Sequence, residues 1–172
     1  MRRLLSVALF ASTLFAAAPI TRHSLEPVER GFDKVLSGVD VNDPFDIIGL
    51  TRGLYLEGFG VVFTTETNLV ISSISPFART PNKDDITKLR LKKASRLEIL
   101  RGLMRQQLLA AGTTLQSVPL NEQVVVAVTL FYRAFEQRDG LPDQIIMQAP
   151  RQTLMDIKNG RAEETAIRVQ EQ

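Results

Sequence analysis

Three stretches of this chain carry strong hydrophobic patterning, and their periods differ. From Leu50 to Thr67, L-T-R-G-L-Y-L-E-G-F-G-V-V-F-T-T-E-T, apolar and small residues alternate with the period of two that marks β-strands. A two-residue turn at Glu57-Gly58 predicts that Leu56 faces Phe59, Leu54 faces Val61 and Arg52 faces Phe63. The opposite face then carries Tyr55 with Gly60, Gly53 with Val62 and Thr51 with Thr64. An apolar face ending in Arg52, set against a small and mixed one, predicts a hairpin packed on one side.

The second stretch has a helical period. Ile86, Leu89, Leu97, Leu100, Met104 and Leu108 fall within one broad arc. Thr80-Pro81-Asn82 supplies cap and first-turn residues, Asp84 and Asp85 complement the helix N-terminus, and Gly112 offers a stop. This predicts the long helix of the protein. A shorter helix is predicted from Pro27 to Leu36, where Val28, Phe32, Val35 and Leu36 recur at helical intervals; it ends near Gly38 and leads into a loop from Val39 to Pro44.

The third stretch, Val124 to Phe135, is β-branched and aromatic (V-V-V-A-V-T-L-F-Y-R-A-F) and reads as a strand buried on both faces near its start. Asp139-Gly140-Leu141-Pro142 turns the chain back into a second strand at Gln144 to Gln148, and Leu154 with Ile157 predicts a short helix before Gly160. The connector from Asn68 to Arg79 has no decisive pattern. Residues 161–172 read as a polar, frayed tail.

The elements add up to an α+β fold: an antiparallel sheet from two hairpins packed against one long helix, with short flanking helices. Their order is similar to that of profilin-type and roadblock-type folds, a likeness of topology that carries no function.

Ahead of these elements, Arg2 and Arg3, the apolar run from Leu4 to Phe15 and the small residues Ala16 to Ala18 have the layout of a secretory signal. The run falls short of the roughly 20 apolar residues of a membrane helix. Pro19 fits peptidase cleavage poorly, so two outcomes stand open: a cleaved signal, or a retained N-terminus that tethers the chain. The organisation expected is signal 1–18, linker 19–26, one domain 27–160 and tail 161–172.

Charge and composition remove several classes of chemistry. The formal charge of +2 vanishes once Arg2 and Arg3 leave with the signal, so no electrostatic excess points to nucleic acid. There is no cysteine, hence no disulfide, thiol nucleophile or thiolate metal site, and the single histidine, His23, lies in a polar segment and reads as a surface residue. Ser72, Ser73 and Ser75 sit in no G-x-S-x-G or S-x-x-K setting, and Gly49, Gly53, Gly58 and Gly60 match no phosphate-binding spacing. No cofactor, metal or catalytic set is expected.

Between Lys83 and Arg105 there are eight basic and three acidic residues. Lys88, Lys92 and Arg96 follow one edge of the apolar arc, and Lys83, Arg90, Arg101 and Arg105 follow the other. That arrangement predicts solvated edges or contact with an acidic protein, anionic lipid or cell-envelope polymer.

The residues with most chemical promise are Tyr55, Glu57 and Arg133. Glu57, between Leu56 and Gly58, is either a solvated turn residue or a carboxylate whose apolar surroundings raise its pKa for acid–base work. Tyr132 and Arg133 are expected on opposite faces of the second hairpin, which would let Arg133 reach a ligand.

The passages Y-L-E-G-F-G-V-V-F-T (Tyr55 to Thr64) and G-L-P-D-Q-I (Gly140 to Ile145) resemble passages of exported bacterial proteins of unknown function. The resemblance implies a bacterial source and an extracytoplasmic compartment, and brings no activity and no functional residue. The resulting expectation is a non-enzymatic interaction or assembly domain of the bacterial envelope, periplasmic or secreted. Its partner would be an envelope protein, and it would touch the membrane only if the signal is kept. The alternative is a small-ligand-binding or weakly catalytic domain at the Tyr55/Glu57 hairpin. A concave apolar pocket beside Glu57 would favour the second, and a flat apolar patch or open sheet edge the first.

Overall fold

The computed structural model describes residues 20–40, 42–71 and 81–172. The predicted signal, Pro19 and the serine cluster at Ser72, Ser73 and Ser75 lie outside the described residues. In chain order the elements are α1 (Arg22–Ser37), β1 (Asp46–Leu56), β2 (Gly60–Asn68), α2 (Lys83–Thr114), β3 (Gln123–Leu130), β4 (Gln144–Pro150), α3 (Arg151–Lys158) and β5 (Arg168–Glu171). One sheet of five strands runs β1-β2-β3-β4-β5.

The α+β class stands, but the sheet is mixed rather than antiparallel. β1 with β2, β3 with β4, and β4 with β5 are antiparallel, whereas β2 and β3 run parallel from Gly60 opposite Gln123 to Thr67 opposite Leu130. Parallel neighbours need a crossover connection, and α2 is that crossover. The sheet is therefore not two hairpins: the antiparallel pairs β1–β2 and β3–β4, the latter joined by the long connection 131–143, meet along a parallel seam, and β5 adds a fifth strand.

α2 opens on a capping box: the Asn82 side chain accepts from the Asp85 backbone N–H at 2.8 Å, and the Asp85 carboxylate accepts from the Asn82 N–H at 3.1 Å. Its buried stripe, Leu97, Leu100, Met104, Leu108 and Ala111, meets Leu25, Val28, Phe32 and Leu36 of α1 and the inward residues Val61, Phe63, Val124, Val126, Ile145 and Met147 in one core. Gly112 does not stop the helix. A Cβ there would lie 2.6 Å from Leu154 Cβ, so this glycine lets α3 close onto α2, and the helix ends two residues later.

α1 starts five residues before its expected origin, inside the stretch read as linker, and carries Pro27 within it. Pro27 has no N–H to donate to the His23 carbonyl one turn back, which is tolerable because both residues are exposed.

The first hairpin shows the largest departure from expectation. Its turn has three residues, Glu57 to Phe59, so Leu56 pairs with Gly60, Tyr55 with Val61, Leu54 with Val62, Gly53 with Phe63 and Arg52 with Thr64. This one-residue slip exchanges the faces of the expected pairs. Tyr55, Val61 and Phe63 turn toward the helices, while Arg52, Leu54 and Leu56 turn away. Gly60 accounts for the slip: its φ is +133°, and a Cβ on it would sit 1.9 Å from the Gln123 carbonyl oxygen. The parallel seam presses the start of β2 against β3 at this point, and the Gln123 N–H donates to the Phe59 carbonyl at 2.8 Å.

Two further corrections concern the C-terminal half. β3 ends at Leu130, so Tyr132 and Arg133 belong to the connection to β4 and not to a strand. The tail is not frayed: after a 3-10 turn at Glu164–Ala166 it buries Ile167 and forms β5 along β4.

Candidate functional site

All of the core clusters on one side of the sheet, because alternate residues of each strand point away from the helices. The register places these outward residues in rows. One row reads Leu54, Val62, Val125, Gln148, Arg168, and the next reads Arg52, Thr64, Ala127, Ile146, Gln170. Val125 and Ala127, in the central strand, are buried between their neighbours. Toward β1 the face becomes apolar and open: Leu54 is 60% exposed, Leu50 57%, and Leu56 and Phe59 44% each. Leucines at a sheet surface are unremarkable singly, but Leu54 and Leu56 are neighbours on this face with Phe59 exposed in the turn beyond them, while Leu50 stands on the far side of Arg52.

The two edges of the sheet are treated differently from its face. At the β1 edge, helix α1 supplies carboxylates to the outward backbone. The Gly53 N–H donates to Glu29 Oε1 at 2.6 Å, and the Thr51 N–H and hydroxyl donate to Asp33 Oδ1 at 2.9 and 2.6 Å. Glu29 is buried and also accepts from Arg22 at 3.0 Å. The β5 edge is four residues long and carries Arg168 and Glu171; Arg101 of α2 holds Glu171 through Nε and Nη2 at 2.7 and 2.8 Å. Edges that are short, charged or occupied by side chains resist strand addition.

Beneath the sheet, α2 uses buried cations to fasten two connections. Lys93, 1% exposed, pairs with the buried Glu136 carboxylate, donates to the Phe131 carbonyl at 3.1 Å and lies 4.6 Å from the centre of the Tyr132 ring. Burial lowers the Lys93 ammonium below the usual lysine value even against the pull of Glu136. Burial likewise pushes the Tyr132 hydroxyl well above the phenol range, and that hydroxyl donates to the Pro142 carbonyl at 2.7 Å. One turn along, Arg96 stacks on Phe45, donates to the Asp43 carbonyl at 2.6 Å and pairs with the Asp43 carboxylate, which Lys92 also reaches at 2.7 Å. The expectation that the α2 cations form solvated edges is thus corrected at Arg96, and Lys93, which it did not include, is buried as well. The patterning gave no sign of Lys93, because its acidic partner lies 43 residues away.

The sequence-derived candidates are not brought together. Tyr55 is half-buried, and its hydroxyl donates to Glu122 Oε1 at 3.2 Å; burial first, and the Glu122 carboxylate second, raise its pKa. Glu57 is exposed in the turn. Arg133 follows the far end of β3. From Val124, beside the Tyr55–Val61 pair, to Leu130 is six residues of strand, or about 20 Å.

Three concave regions are bounded by described residues. A cleft of about 270 Å³ lies between α1 and β1 around Arg22, Glu29 and Arg52, and a groove of about 680 Å³ lies between α1 and α2 around Val35, Leu103 and Ala110. A recess of about 300 Å³ lies on the outward sheet face around Leu50, Thr64 and Thr129. Tyr55, Glu57 and Arg133 line none of them. Among the described residues no three His, Asp or Glu side chains converge to hold a metal ion, and no helix is long and apolar enough to cross a membrane. Comparison with family models, curated proteins and solved structures gives no match.

Proposed function

We propose that the chain is a non-enzymatic interaction domain of the bacterial envelope, exported through its N-terminal signal, which binds a protein on the outward face of its sheet. The observation that carries this reading is the exposure of Leu54 and Leu56, with Phe59 in the adjoining turn, on a hairpin whose outward face no described helix covers. An open apolar surface of this kind is suited to protein contact rather than to enclosing a small molecule. The ionisable side chains that are buried serve the fold: Glu29 caps an edge strand, and Lys93 and Arg96 anchor loops. The arrangement of Arg2, Arg3 and the following apolar run supports export.

The test is site-specific photo-crosslinking in bacteria, with a crosslinking residue at Leu54 or, as a control, at the exposed Lys88 of α2, on the full-length chain with a C-terminal tag. The expected result is a discrete protein adduct from position 54 and none from 88, in the periplasmic or membrane fraction. Equal labelling at both positions, or a chain confined to the cytoplasm, would sink the proposal.

A further inference from the structure

We infer that the occupant of the outward face is a second copy of this chain, packed face to face over the β1–β2 hairpin about a two-fold axis beside Leu54. This rests on the interaction reading above and names its partner.

The edges argue first for a face-to-face contact. The Thr51 and Gly53 N–H groups are already taken by Asp33 and Glu29, and β5 offers four residues with a charge at either end. Association by backbone pairing is therefore closed over these segments, and side chains on the face must make the contact. Two sheets meeting in this way pack about 10 Å apart with their strands within about 30°.

Charge then selects the partner. The half-buried Glu66 of β2 lies on the same face farther back, beside Leu50, and two exposed ionic residues border Leu54 and Leu56 themselves: Arg52, two residues before Leu54 on the outward face, and Glu57, in the turn after Leu56. Neither has an ion-pair partner among the described residues. An evenly acidic partner would meet Glu57 with like charge, and an evenly basic one would meet Arg52. A second copy satisfies both at once. With the axis across the strands at Leu54, the hairpins run in opposite directions, Leu54 meets Leu54, and Arg52 of each copy lies over Leu56 and Glu57 of the other. A self-complementary patch with opposite charges on either side of an apolar centre is what an isologous contact requires. Anionic lipid is disfavoured on the same ground, since Glu57 stands at the hairpin tip beside Phe59.

The absence of cysteine makes the geometry directly testable in the processed chain recovered from cells. Leu54→Cys places one thiol per chain beside the axis, and inter-sheet disulfides across such a spacing are known in β-sandwiches. Leu120→Cys, 45% exposed in the loop before β3, is the control. Under mild oxidation the Leu54→Cys dimer should form at least about tenfold faster, reflecting the raised local concentration of the two thiols.

Sedimentation equilibrium should show a monomer–dimer equilibrium that Arg52→Glu or Glu57→Arg weakens by about tenfold and that the double charge reversal restores, as expected of a specific ion pair across the interface. Circular dichroism checks that each variant is folded.

Equal oxidation rates at 54 and 120, a monomer at every concentration, or charge reversals without effect would each overturn the second copy as occupant. So would flotation with phosphatidylethanolamine–phosphatidylglycerol vesicles that depends on Leu54. If the chain is monomeric while the crosslinker at 54 still captures a different protein, the occupant is wrong and the interaction reading survives. If position 54 captures nothing, both fall.

Discussion

Replacing Lys93 by methionine should be among the most damaging single changes in the α2 helix. The side chain is 1% exposed and its partner Glu136 has a side chain 2% exposed, so the substitution leaves a carboxylate in the interior without its cation. Breaking a buried pair on one side costs about 3–5 kcal/mol. Against a total stability of about 5–15 kcal/mol for a domain of this kind, that is at least about a fifth of what holds it folded. Glu136→Leu should cost a similar amount, because the ammonium is then the stranded charge. If the two losses were independent the double variant would lose about 6–10 kcal/mol. It should instead lose only about 1–3 kcal/mol. Both charges are gone, and what remains is the Phe131 carbonyl, which no longer accepts from Lys93. Urea titration of the four proteins, followed by far-UV circular dichroism and by the near-UV signal of the two tyrosines, gives the coupling energy directly. Additive losses, or a Lys93→Met variant within about 1 kcal/mol of the parent, would refute the view that this pair is buried and mutually dependent.

Two other outcomes follow from the geometry. Asp43 titrates below its usual 3.8, chiefly through the Lys92 hydrogen bond, with burial opposing and the Arg96 charge assisting. A carboxyl depressed in the folded state stabilises above its unfolded pKa and loses that contribution as pH falls through its folded value. The gap in urea midpoint between the parent and Asp43→Asn should therefore narrow below pH 3.8, and a gap constant from pH 6 to 2 would show that the Asp43 contacts do not persist in solution. In the hairpin, Gly58 at φ +77° has open space around it, while Gly60 meets the Gln123 backbone. Gly58→Ala should cost about 1–2 kcal/mol, the price of a left-handed L-residue, and Gly60→Ala about 3 kcal/mol or more, as the seam must also open. Equal losses in thermal or urea melts would mean that β2 does not press on β3 as described.

How far the sequence could be read depended on whether each element's determinants were local. The long helix was legible because Asn82 and Asp85 form its cap within four residues and the apolar positions Leu97, Leu100, Met104 and Leu108 recur at helical spacing, although Lys93, Arg96 and Gln107 interrupt the buried face. β4 and α3 were legible from their own patterns. The register of the first hairpin was not. Both Glu57-Gly58 and Glu57-Gly58-Phe59 are reasonable turns, and the choice is made by Gln123, which lies 63 residues beyond Gly60. β5 was hidden because R-V-Q-E has no strand signature; it is held by backbone pairing with β4 and by Arg101. Pro27 misplaced the start of α1, since a proline that favours the first helical turn is accommodated here well inside the helix. Of the candidate site residues, Tyr55 and Glu57 were correctly set on the hairpin, but Arg133 was assigned to a strand that ends three residues before it.

The parallel seam has a consequence for how the chain reaches this structure. Pairs within β1–β2 and β3–β4 link residues 4 to 27 apart, whereas every pair across β2–β3 links residues 63 apart. The long-range cost of assembling the sheet is thus concentrated in a single closure event, with α2 as a rod of 32 residues between the two sides. A rod shortens the effective search, so weakening the cap at Asn82 should slow refolding by more than it speeds unfolding. The seam, rather than either hairpin, sets the tempo at which the outward face comes into being.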